Sequence, residues 1–576
     1  MSDQKNMLLA IGLALLVLLG WDYFIVAPQR EAAQQTHATV EAPADGALPA
    51  APDATSDTAP EAGDTAAALP AGSMARSVAV AQGARLRIDT PRLEGSILLT
   101  GARFDDLTLK DYWETVARTD NIHLFSPANT PSAYFVEFGW SAGAGAAVDL
   151  PDETTRWQAS APVLTPDQPV ELRWSNAQGL TFIRRITVDK DYLFTVEQRV
   201  ENSGEGTWRL FPYAKALRTW EAHGRSFYVV HEGALGVIDG SLKEVSYKDL
   251  QDDKRQDFNS TGGWIGLADK YWMTALVPDQ ARPFSARFNY AERGRPEYAV
   301  SFLEEGQTLA PGGHIEVVNR FFAGAKEVKL VERYGERYGI TKFDLTIDWG
   351  WFYFLTKPIF YGLDVFNRLL GNFGLAIIAL TVAIKLLLFP LANKSYESLG
   401  RMKTMQPRMK ELQERYKEDR ARLQQEMAAL FKKEGVNPLA GCLPILIQMP
   451  IFFALYKVLF VTIEMRHAPF YLWIRDLSAP DPLTPVNFFG LLPFDPPTFL
   501  AIGVLPIVMG ITMWLQQKLN PPPTDPIQGQ VMKALPIVFT IIMAPFAAGL
   551  VIYWTANNIL SIAQQWVIQR RIEARG

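Results

Sequence analysis

A single lysine lies inside an apolar stretch of the sequence that is long enough to cross a bilayer. Residues 373–392 would span ~30 Å as a helix, and Lys385 is the charged residue among them. An ammonium group in hydrocarbon costs at least ~2.5 kcal/mol, so such a residue usually faces a partner or a water-filled cavity. We therefore expect a hydrated polar site around Lys385. The alternative is a side chain that extends to the membrane surface near Asn393.

Other polar or amphipathic side chains fall at a comparable depth in the predicted membrane helices. They are Thr381, Gln448, Tyr553, Trp554 and Asn557. Thr381 lies one helical turn before Lys385 on the same face. Each of these residues alone is more often a hydrogen bond between packed helices than a binding site. Together with Lys385 they predict a polar groove that binds a substrate.

The sequence lacks the common enzyme motifs. It has no Walker A pattern, no glycine-rich dinucleotide fingerprint and no His-Glu-x-x-His zinc motif, since His231-Glu232 lacks the second histidine. We therefore expect no catalytic residue, no metal, no cofactor and no enzymatic activity. The net charge of −5 gives no basic excess, which argues against nucleic-acid binding. The single cysteine, Cys442, excludes an intrachain disulfide.

The N-terminal region predicts an anchor and a linker. Residues 1–27 contain an apolar run from Met7 to Val26, which favours an N-terminal transmembrane anchor over the alternative of a cleaved signal peptide. Residues 28–73 are mostly Ala, Pro, Asp, Thr, Glu and Gly. Because they have almost nothing to bury, they predict a disordered linker.

Residues 74–346 change to short alternating stretches separated by turn residues. Phe194, Val196 and Val200 share one parity after a turn at residues 189–191. Side chains of one parity lie on one face of a strand, so this pattern is typical of a half-buried sheet. The region predicts an all-β sandwich domain.

Two helices are predicted between this domain and the stretch that contains Lys385. The first covers residues 327–338 and ends at Gly339. The second lies within residues 347–372, where polar side chains recur at spacings of three and four opposite an aromatic face. These polar residues are Lys357, Tyr361, Asp364 and Arg368. Such a pattern predicts an amphipathic helix in the membrane interface.

Residues 393–438 predict a cytoplasmic helical hairpin. They carry 11 Lys or Arg and 7 Asp or Glu. Apolar residues recur every three or four positions on both sides of residues 417–419, and Asp419 is a candidate N-cap of the second helix. The amphipathic hairpin is open to two interpretations, which are binding to a partner and packing on the rest of the protein.

The apolar runs predict an α-helical membrane bundle of six transmembrane helices. After the anchor, the five remaining spans are residues 373–392, 439–464, 499–518, 534–548 and 549–568. The connections and tail are an outer loop at 465–498, a cytoplasmic loop at 519–533 and a cytoplasmic tail at 569–576. Basic residues concentrate in the hairpin and the tail, which places both, and the N-terminus, in the cytoplasm. We interpret Lys457, near the outer end of its span, as a side chain that extends to the membrane surface.

The run Asn-Pro-Leu-Ala-Gly-Cys-Leu-Pro-Ile-Leu-Ile-Gln-Met-Pro-Ile-Phe, at residues 437–452, closely resembles the third span of the bacterial YidC family of membrane protein insertases. Further matches are Ala468-Pro469-Phe470, Leu472-Trp473-Ile474, Asp476-Leu477-Ser478 and Gly549-Leu550-Val551-Ile552-Tyr553. The similarity extends over about residues 350–570. The anchor and the large outer domain resemble the Gram-negative form of the family.

This resemblance implies a multi-pass protein of the bacterial inner membrane that inserts and helps fold newly made membrane proteins, alone or with the Sec translocon. It implies a hydrophilic groove, centred on Lys385, that opens to the cytoplasm and lipid and is closed outside. It also implies a periplasmic β-supersandwich without catalytic activity, and weak ribosome binding through the hairpin, loop and tail. The implied contacts with the substrate's apolar helix are Pro444, Met449, Pro450, Phe452 and Phe539.

The sequence departs from the family's commonest pattern at the basic residue. Many members carry arginine five positions before a proline, where this chain has Lys385 before Pro390. Lysine keeps the positive charge but loses the bidentate geometry of a guanidinium group. Attraction of an acidic segment is therefore expected to persist, with less directional hydrogen bonding.

Two other functions compete with insertion. A secondary transporter would use Lys385 to bind a small anion, but such folds tend to contain inverted repeats, and the sequence shows no internal repeat. A membrane-anchored enzyme that modifies carbohydrates would leave the five further spans unexplained.

Overall fold

The computed structural model describes residues 74–143, 146–219, 230–350, 352–417, 419–434, 443–489, 491–492, 501–520 and 526–574. The predicted anchor at 1–27 and the predicted linker at 28–73 lie outside these residues. Cys442 and the first part of the family-like run also lie outside them. The extents predicted for these segments stay predictions.

Two large sheets form the N-terminal part of the described chain. The first contains β1 (Arg85–Asp89), β2 (Leu93–Leu98), β3 (Arg103–Trp113), β4 (Asn121–Phe125), β5 (Tyr134–Ala142), β7 (Val163–Leu164), β11 (Trp208–Arg218), β14 (Arg255–Thr261), β17 (Pro283–Glu292), β18 (Pro296–Glu304) and β19 (Gln307–Leu309). The second contains β6 (Gln158–Ala159), β8 (Val170–Ser175), β9 (Leu180–Val188), β10 (Leu193–Asn202), β12 (Gly233–Ile238), β13 (Ser241–Ser246), β15 (Trp264–Ala268), β16 (Trp272–Val277) and β20 (His314–Ala325).

Strand order in each sheet follows antiparallel neighbours, apart from one parallel pair between β1 and β7. The first sheet runs β14-β17-β18-β11-β5-β3-β2-β1-β7, with β19 paired to β11 and β4 to β3. The second runs β13-β12-β15-β16-β20-β10-β9-β8-β6. The β-rich domain predicted from the sequence is confirmed.

The hairpin of β9 and β10 shows how the sequence sets the register. Phe194, Val196 and Val200 are all fully buried, as their shared parity predicts. In the turn before them, Oδ1 of Asp189 accepts hydrogen bonds from the backbone N–H groups of Asp191 and Leu193, at 2.9 and 3.0 Å. The turn therefore fixes which face of β10 enters the core.

Phenylalanine side chains join the two sheets. Phe194 on β10 and Phe321 on β20 stack with ring centroids 4.6 Å apart. Phe104 on β3, in the other sheet, lies 5.8 Å from Phe194 and 4.8 Å from Phe321. Edge-to-face contacts of this kind add to the hydrophobic stabilisation of the core. The sheets thus share one core, as expected for a sandwich.

The helices of the described chain fall into two groups. Those within or beside the β domain are α1 (Arg76–Val80), α2 (Tyr247–Asp253) and α3 (Val328–Tyr338). Those that follow it are α4 (Tyr353–Leu370), α5 (Phe373–Leu387), α6 (Phe389–Thr404), α7 (Gln406–Arg415), α8 (Arg420–Lys433), α9 (Leu443–Val461), α10 (Val504–Leu519), α11 (Pro526–Met543) and α12 (Ala548–Glu573). Short 3-10 turns occur at Phe343–Thr346, Ile463–Met465 and Pro485–Asn487.

Two predicted helix ends are confirmed. α3 ends at Gly339, whose φ of 63° is in the left-handed region that favours glycine at this position. α8 begins after Asp419, whose side chain accepts a hydrogen bond from the backbone N–H of Arg422 at 3.0 Å. Local signals in the sequence therefore set both ends.

The polar face of α4 packs against the end of the β domain. Nζ of Lys357 lies 2.8 Å from Glu332 on α3 and 3.1 Å from Asp344. Asp364 pairs with Lys329 on α3 at 2.7 Å. The charged side chains on the polar face of α4 therefore pair with other residues of the protein. A position of α4 in the membrane interface stays a prediction.

Among the described residues, no single helix has both the length and the apolarity of a membrane span, but α5 together with Phe389–Met402 of α6 does so as a pair bent by 67°. The bend lies at Leu388, two residues before Pro390. A proline removes one backbone hydrogen bond and clashes with the carbonyl four residues earlier, which accounts for the break.

Candidate functional site

Lys385 lies in the last turn of α5 and is partly buried. Its Nζ donates a hydrogen bond to Oγ of Ser561 on α12, over 2.8 Å. No salt bridge to Lys385 occurs within the part of the chain that the structure describes. The positive charge is therefore held there by a neutral hydroxyl group.

Ser561 connects three helices. It is 2% exposed, and its Oγ donates to the carbonyl oxygen of Asn557, one turn earlier on α12, at 2.8 Å. The side chain of Tyr396 on α6 lies beside Ser561. Lys385 reaches the same oxygen from α5. The position of the ammonium group thus depends on the packing of α5 and α6 against α12.

Gln448 on α9 and Tyr553 on α12 form a second polar contact between helices. Nε2 of Gln448 donates to the hydroxyl oxygen of Tyr553. Tyr553 is 1% exposed, so this contact is shielded from the outside of the protein. It fixes α9 against α12.

Thr381 and Asn557 make no hydrogen bond to Lys385. Thr381 is buried and donates to the carbonyl oxygen of Ile377 on its own helix, at 2.6 Å. Oδ1 of Asn557 is buried and has no hydrogen-bond partner among the described residues. A buried carboxamide oxygen without a donor is costly, so this atom is suited to accept a hydrogen bond from a bound group.

The residues predicted to contact a substrate helix divide into packed and exposed members. The ring of Phe452 lies edge-on to Trp554, with centroids 4.6 Å apart, and Phe539 lies 5.4 Å from the same indole. These three side chains join α9, α11 and α12. Met449, by contrast, is 40% exposed on α9. Of these residues, Met449 is the one most available to a substrate.

Two further predicted contacts are prolines of α9. Pro450 is partly buried and, having no backbone N–H, leaves a carbonyl one turn earlier without its helical partner. The side chain of Pro444 is outside the described residues. Its contact with a substrate stays a prediction.

Ser561 was not among the site residues predicted from the sequence. The signal that would have identified it is the recurrence of polar residues every four positions along α12. Tyr553, Asn557, Ser561 and Gln565 follow one another at that interval and therefore share one face. All four side chains are buried. Nε2 of Gln565 donates to Oδ1 of Asn520 at 2.9 Å. The buried polar stripe continues from the middle of α12 towards its C-terminal half.

Lys457, near the C-terminal end of α9, contacts the connection that follows the β domain. Its Nζ lies 2.7 Å from Oδ2 of Asp348, and the two side chains are only 12% and 19% exposed. The same carboxylate oxygen accepts the backbone N–H of His231 at 3.0 Å. The interpretation of Lys457 as a side chain that extends to the membrane surface was wrong, because an acidic partner distant in sequence lies within its reach.

The segment after α9 adds further contacts with the β domain. Arg466 donates to the carbonyl oxygens of Trp113 and Glu114, at 2.6 and 3.2 Å. Oε1 of Glu464 accepts the backbone N–H of Val328, the first residue of α3, at 3.2 Å. Together with the pair of Lys457 and Asp348, these bonds fix the β domain to the end of α9.

Burial shifts the pKa of two groups beside this junction. It lowers the pKa of Lys326 to about 8, although Asp348 acts in the opposite direction. It also lowers the pKa of His231 to about 4. Nε2 of His231 lies 3.0 Å from the carbonyl oxygen of Ala234, which fits a neutral ring that donates through this nitrogen.

Comparisons with known proteins agree with this organisation. The family model described as the 60Kd inner membrane protein matches residues 365–575, and the model of the YidC periplasmic domain matches residues 85–362. These two matches place the chain in the class of bacterial inner-membrane proteins with a large periplasmic domain, and the β-rich domain followed by apolar helices fits that class.

Full-length relatives narrow the class to one family. The membrane protein insertase YidC of Methylorubrum extorquens (strain PA1) is 48% identical over 590 residues, which cover 99% of this chain and 96% of the relative. The insertase YidC of Rhizobium meliloti (strain 1021) is also 48% identical, over 580 residues with the same coverage. The chain belongs to the YidC family of membrane protein insertases, whose function is insertion and not enzymatic catalysis.

A solved structure, described as an active YidC insertase with the first transmembrane domain resolved, matches 84% of this chain and 95% of its own. The TM-score is 0.35 and the sequence identity 15%.

Proposed function

We propose that Lys385 and the buried polar residues of α12 form a hydrophilic groove that accepts the polar or acidic segment of a client protein during insertion. The observation that carries this proposal is the ammonium group of Lys385, which hydrogen-bonds the neutral Ser561 and has no acidic partner among the described residues. Its charge is available to a client carboxylate. The unpartnered Oδ1 of Asn557, one turn from Ser561, adds an acceptor for a client N–H group.

The apolar segment of the client follows a different path. It slides along α9 and α11, past Met449, and leaves the protein into lipid. Burial of a client helix of about 20 apolar residues in the hydrocarbon core supplies the driving force. Hydration of the groove lowers the cost of moving the polar segment. The membrane potential favours outward transfer of acidic residues.

The proposed topology has six spans, with both termini, the hairpin at 393–438 and the loop at 519–533 in the cytoplasm. The 11 basic residues of the hairpin support this orientation. The β domain is then periplasmic, and α4 lies at the periplasmic surface of the inner membrane.

The hairpin catches emerging client segments. The hairpin, loop and tail contact the ribosome weakly, and the Sec translocon is a partner for some clients.

A Lys385→Ala variant tests the role of the charge. We expect insertion of a small client with an acidic translocated tail to fall at least about fivefold, because an ion pair at this depth contributes about 1 kcal/mol or more. Insertion is measured by protease protection of the client's tail in cells depleted of the wild-type protein. A client with a neutral tail should change less.

Lys243→Ala is the matched control, since Lys243 is an exposed lysine on β13, outside the segments proposed to bind clients. Its insertion yield should equal that of the wild type. Unchanged insertion by Lys385→Ala would refute the groove. Anion uptake by reconstituted vesicles, without any effect on insertion, would point to a transporter instead.

A further inference from the structure

A groove of about 710 Å³ runs between α10 and α11, and Lys385 does not line it. Its walls are mostly apolar and include Ile511 and Trp514 from α10 and Ile537 and Ile541 from α11. Each of these four side chains is at least half exposed. The volume is typical of a site for a small apolar ligand or one acyl chain.

The floor of this groove is closed by a tight contact between the two helices. A Cβ atom on Gly510 would lie only 2.1 Å from Oγ1 of Thr540, so glycine is what lets α10 and α11 approach here. The hydroxyl of Thr540 is already satisfied, because it donates to the carbonyl oxygen of Pro536 at 2.8 Å. The hydroxyl proton of Thr540 is therefore not available to a ligand, and an apolar occupant fits this floor.

One end of the groove carries two positive charges. Lys533 lines the groove, and Nζ of Lys518 lies 4.8 Å from the ring centroid of Trp514. Lys518 is in the last turn of α10 and Lys533 in the second turn of α11, and the two helices are joined at these ends by residues 520–525. Among the lining residues that the structure describes, none is acidic. An anion at this mouth would meet the charges of Lys518 and Lys533.

The length of the groove matches one leaflet of a membrane. The α10 backbone rises ~15 Å from Val504 to Trp514, and half of a ~30 Å hydrocarbon core is also ~15 Å. At the far end, Pro485 and Val486 complete the apolar wall. An acyl chain attached to a headgroup between the two lysines would thus lie along the whole groove.

We propose that this groove binds one phospholipid with an anionic headgroup. The anionic headgroup, with its phosphate, lies between Lys518 and Lys533, and one acyl chain packs on Ile511, Ile537 and Ile541. A zwitterionic lipid fills the same apolar space but gains less from the lysines, since its net charge is zero. The orientation proposed above puts this mouth in the cytoplasmic leaflet, but the lipid preference depends neither on that orientation nor on insertion activity.

Quenching of Trp514 by brominated lipids tests the proposal. The full chain is reconstituted in bilayers of phosphatidylcholine with phosphatidylglycerol, and the brominated acyl chains are placed on one lipid or the other at equal mole fraction. The chain has 15 tryptophans, so the signal of Trp514 is obtained as the difference between the wild type and Trp514→Phe. One lysine near a bilayer surface favours an anionic lipid about fivefold. We expect brominated phosphatidylglycerol to quench Trp514 at least about twofold more than brominated phosphatidylcholine.

The double variant Lys518→Gln/Lys533→Gln should reduce this ratio to about one. Lys432→Gln/Lys433→Gln removes the same charge from exposed positions at the end of α8 and should keep the ratio of the wild type. Because the attraction is electrostatic, raising the salt concentration should also reduce the ratio in the chain that keeps both lysines.

Equal quenching by the two lipids in the wild-type protein would overturn the proposal, as would a preference that the lysine double variant retains. Photocrosslinking of a client helix to position 537 together with equal quenching would assign the groove to protein binding instead. Client insertion is measured on the same variants, so that loss of insertion and loss of lipid preference are told apart.

Discussion

Ser561 and Lys385 are 176 positions apart in the sequence, yet their side chains share a hydrogen bond of 2.8 Å. The hydroxyl positions the ammonium group without neutralising it. A carboxylate in the same place would form an ion pair and would compete with an acidic client. A neutral partner is therefore consistent with a lysine whose charge serves a transient substrate.

Ser561→Ala should lower the insertion of a client with an acidic tail by a few fold. The lost hydrogen bond to a charged group is worth about 1.5–3 kcal/mol, part of which water would replace in the proposed groove. Ser561→Thr keeps the hydroxyl and should restore insertion. Thr555→Ala is the control, because Thr555 donates only to the carbonyl of Val551 on the same helix, at 2.8 Å. Equal defects in the Thr555 and Ser561 alanine variants would mean that general damage to α12, and not the contact with Lys385, is responsible.

The lowered pKa of His231 predicts how the stability of the β domain depends on pH. Its pKa falls from an ordinary value of 6.5 to about 4 on burial, so the unfolded chain binds a proton that the folded chain does not between these values. The contribution of His231 to the free energy of unfolding is therefore fully present above pH 6.5. It is lost as the pH drops towards 4, by at most about 3 kcal/mol. Thermal unfolding followed from pH 7.5 to pH 4 measures this loss.

His231→Gln should flatten the stability profile over that range. His314→Gln, at an exposed position of β20, should leave the slope unchanged. The same slope in the His231 variant and the wild type would show that another group carries the pH dependence.

At the scale of elements, the connection between the β domain and α9 is stabilised by charged contacts. Asp348 receives Nζ of Lys457 and the backbone N–H groups of His231 and Gly350. Arg466 reaches backbone carbonyls at the end of β3 and just after it. These bonds make the outer domain and the end of α9 a single structural unit at this point.

Lys457→Met should destabilise this junction by about 2–4 kcal/mol, because it leaves the mostly buried carboxylate of Asp348 without its cation. Limited proteolysis near residues 347–352 should become faster, and the midpoint of thermal unfolding should fall. Lys329→Met breaks a pair with Asp364 in which Lys329 is 50% exposed, so its cost should stay below about 1 kcal/mol. A Lys457 variant as resistant as the Lys329 variant would contradict the role of this pair.

At the scale of the whole molecule, the described chain combines a two-sheet β domain with helices that contain the candidate groove. The family assignment gives this molecule its place in the inner membrane and its insertase function. Its orientation is a separate proposal, supported by the distribution of basic residues.

Cysteine labelling tests that orientation. In a Cys442→Ser background, Lys190→Cys places a thiol at an exposed turn of the β domain and Lys410→Cys places one on the exposed face of α7. An impermeant maleimide should label position 190 in intact spheroplasts and position 410 only after lysis. The reverse pattern would invert the topology, and labelling of both positions in intact spheroplasts would rule out the six-span arrangement.

Much of the fold could be predicted from neighbouring residues. The parity of Phe194, Val196 and Val200 predicted the buried face of β10, and Gly339 and Asp419 predicted helix ends. Such signals are local, because backbone propensity, capping and the alternation of side chains act over a few positions. The charge at Lys385 and the motif at residues 437–452 likewise belong to single stretches of sequence.

The partners of these residues were decided by tertiary structure. The hydroxyl that holds Lys385, the carboxylate that holds Lys457 and the α3 residues that pair with the polar face of α4 all come from distant parts of the chain. Two side chains meet across such separations only when whole elements pack, and the packing is set by the summed burial of many apolar residues. The sequence by itself thus determined which charges must be satisfied, and the packing of the helices and sheets decided which groups satisfy them.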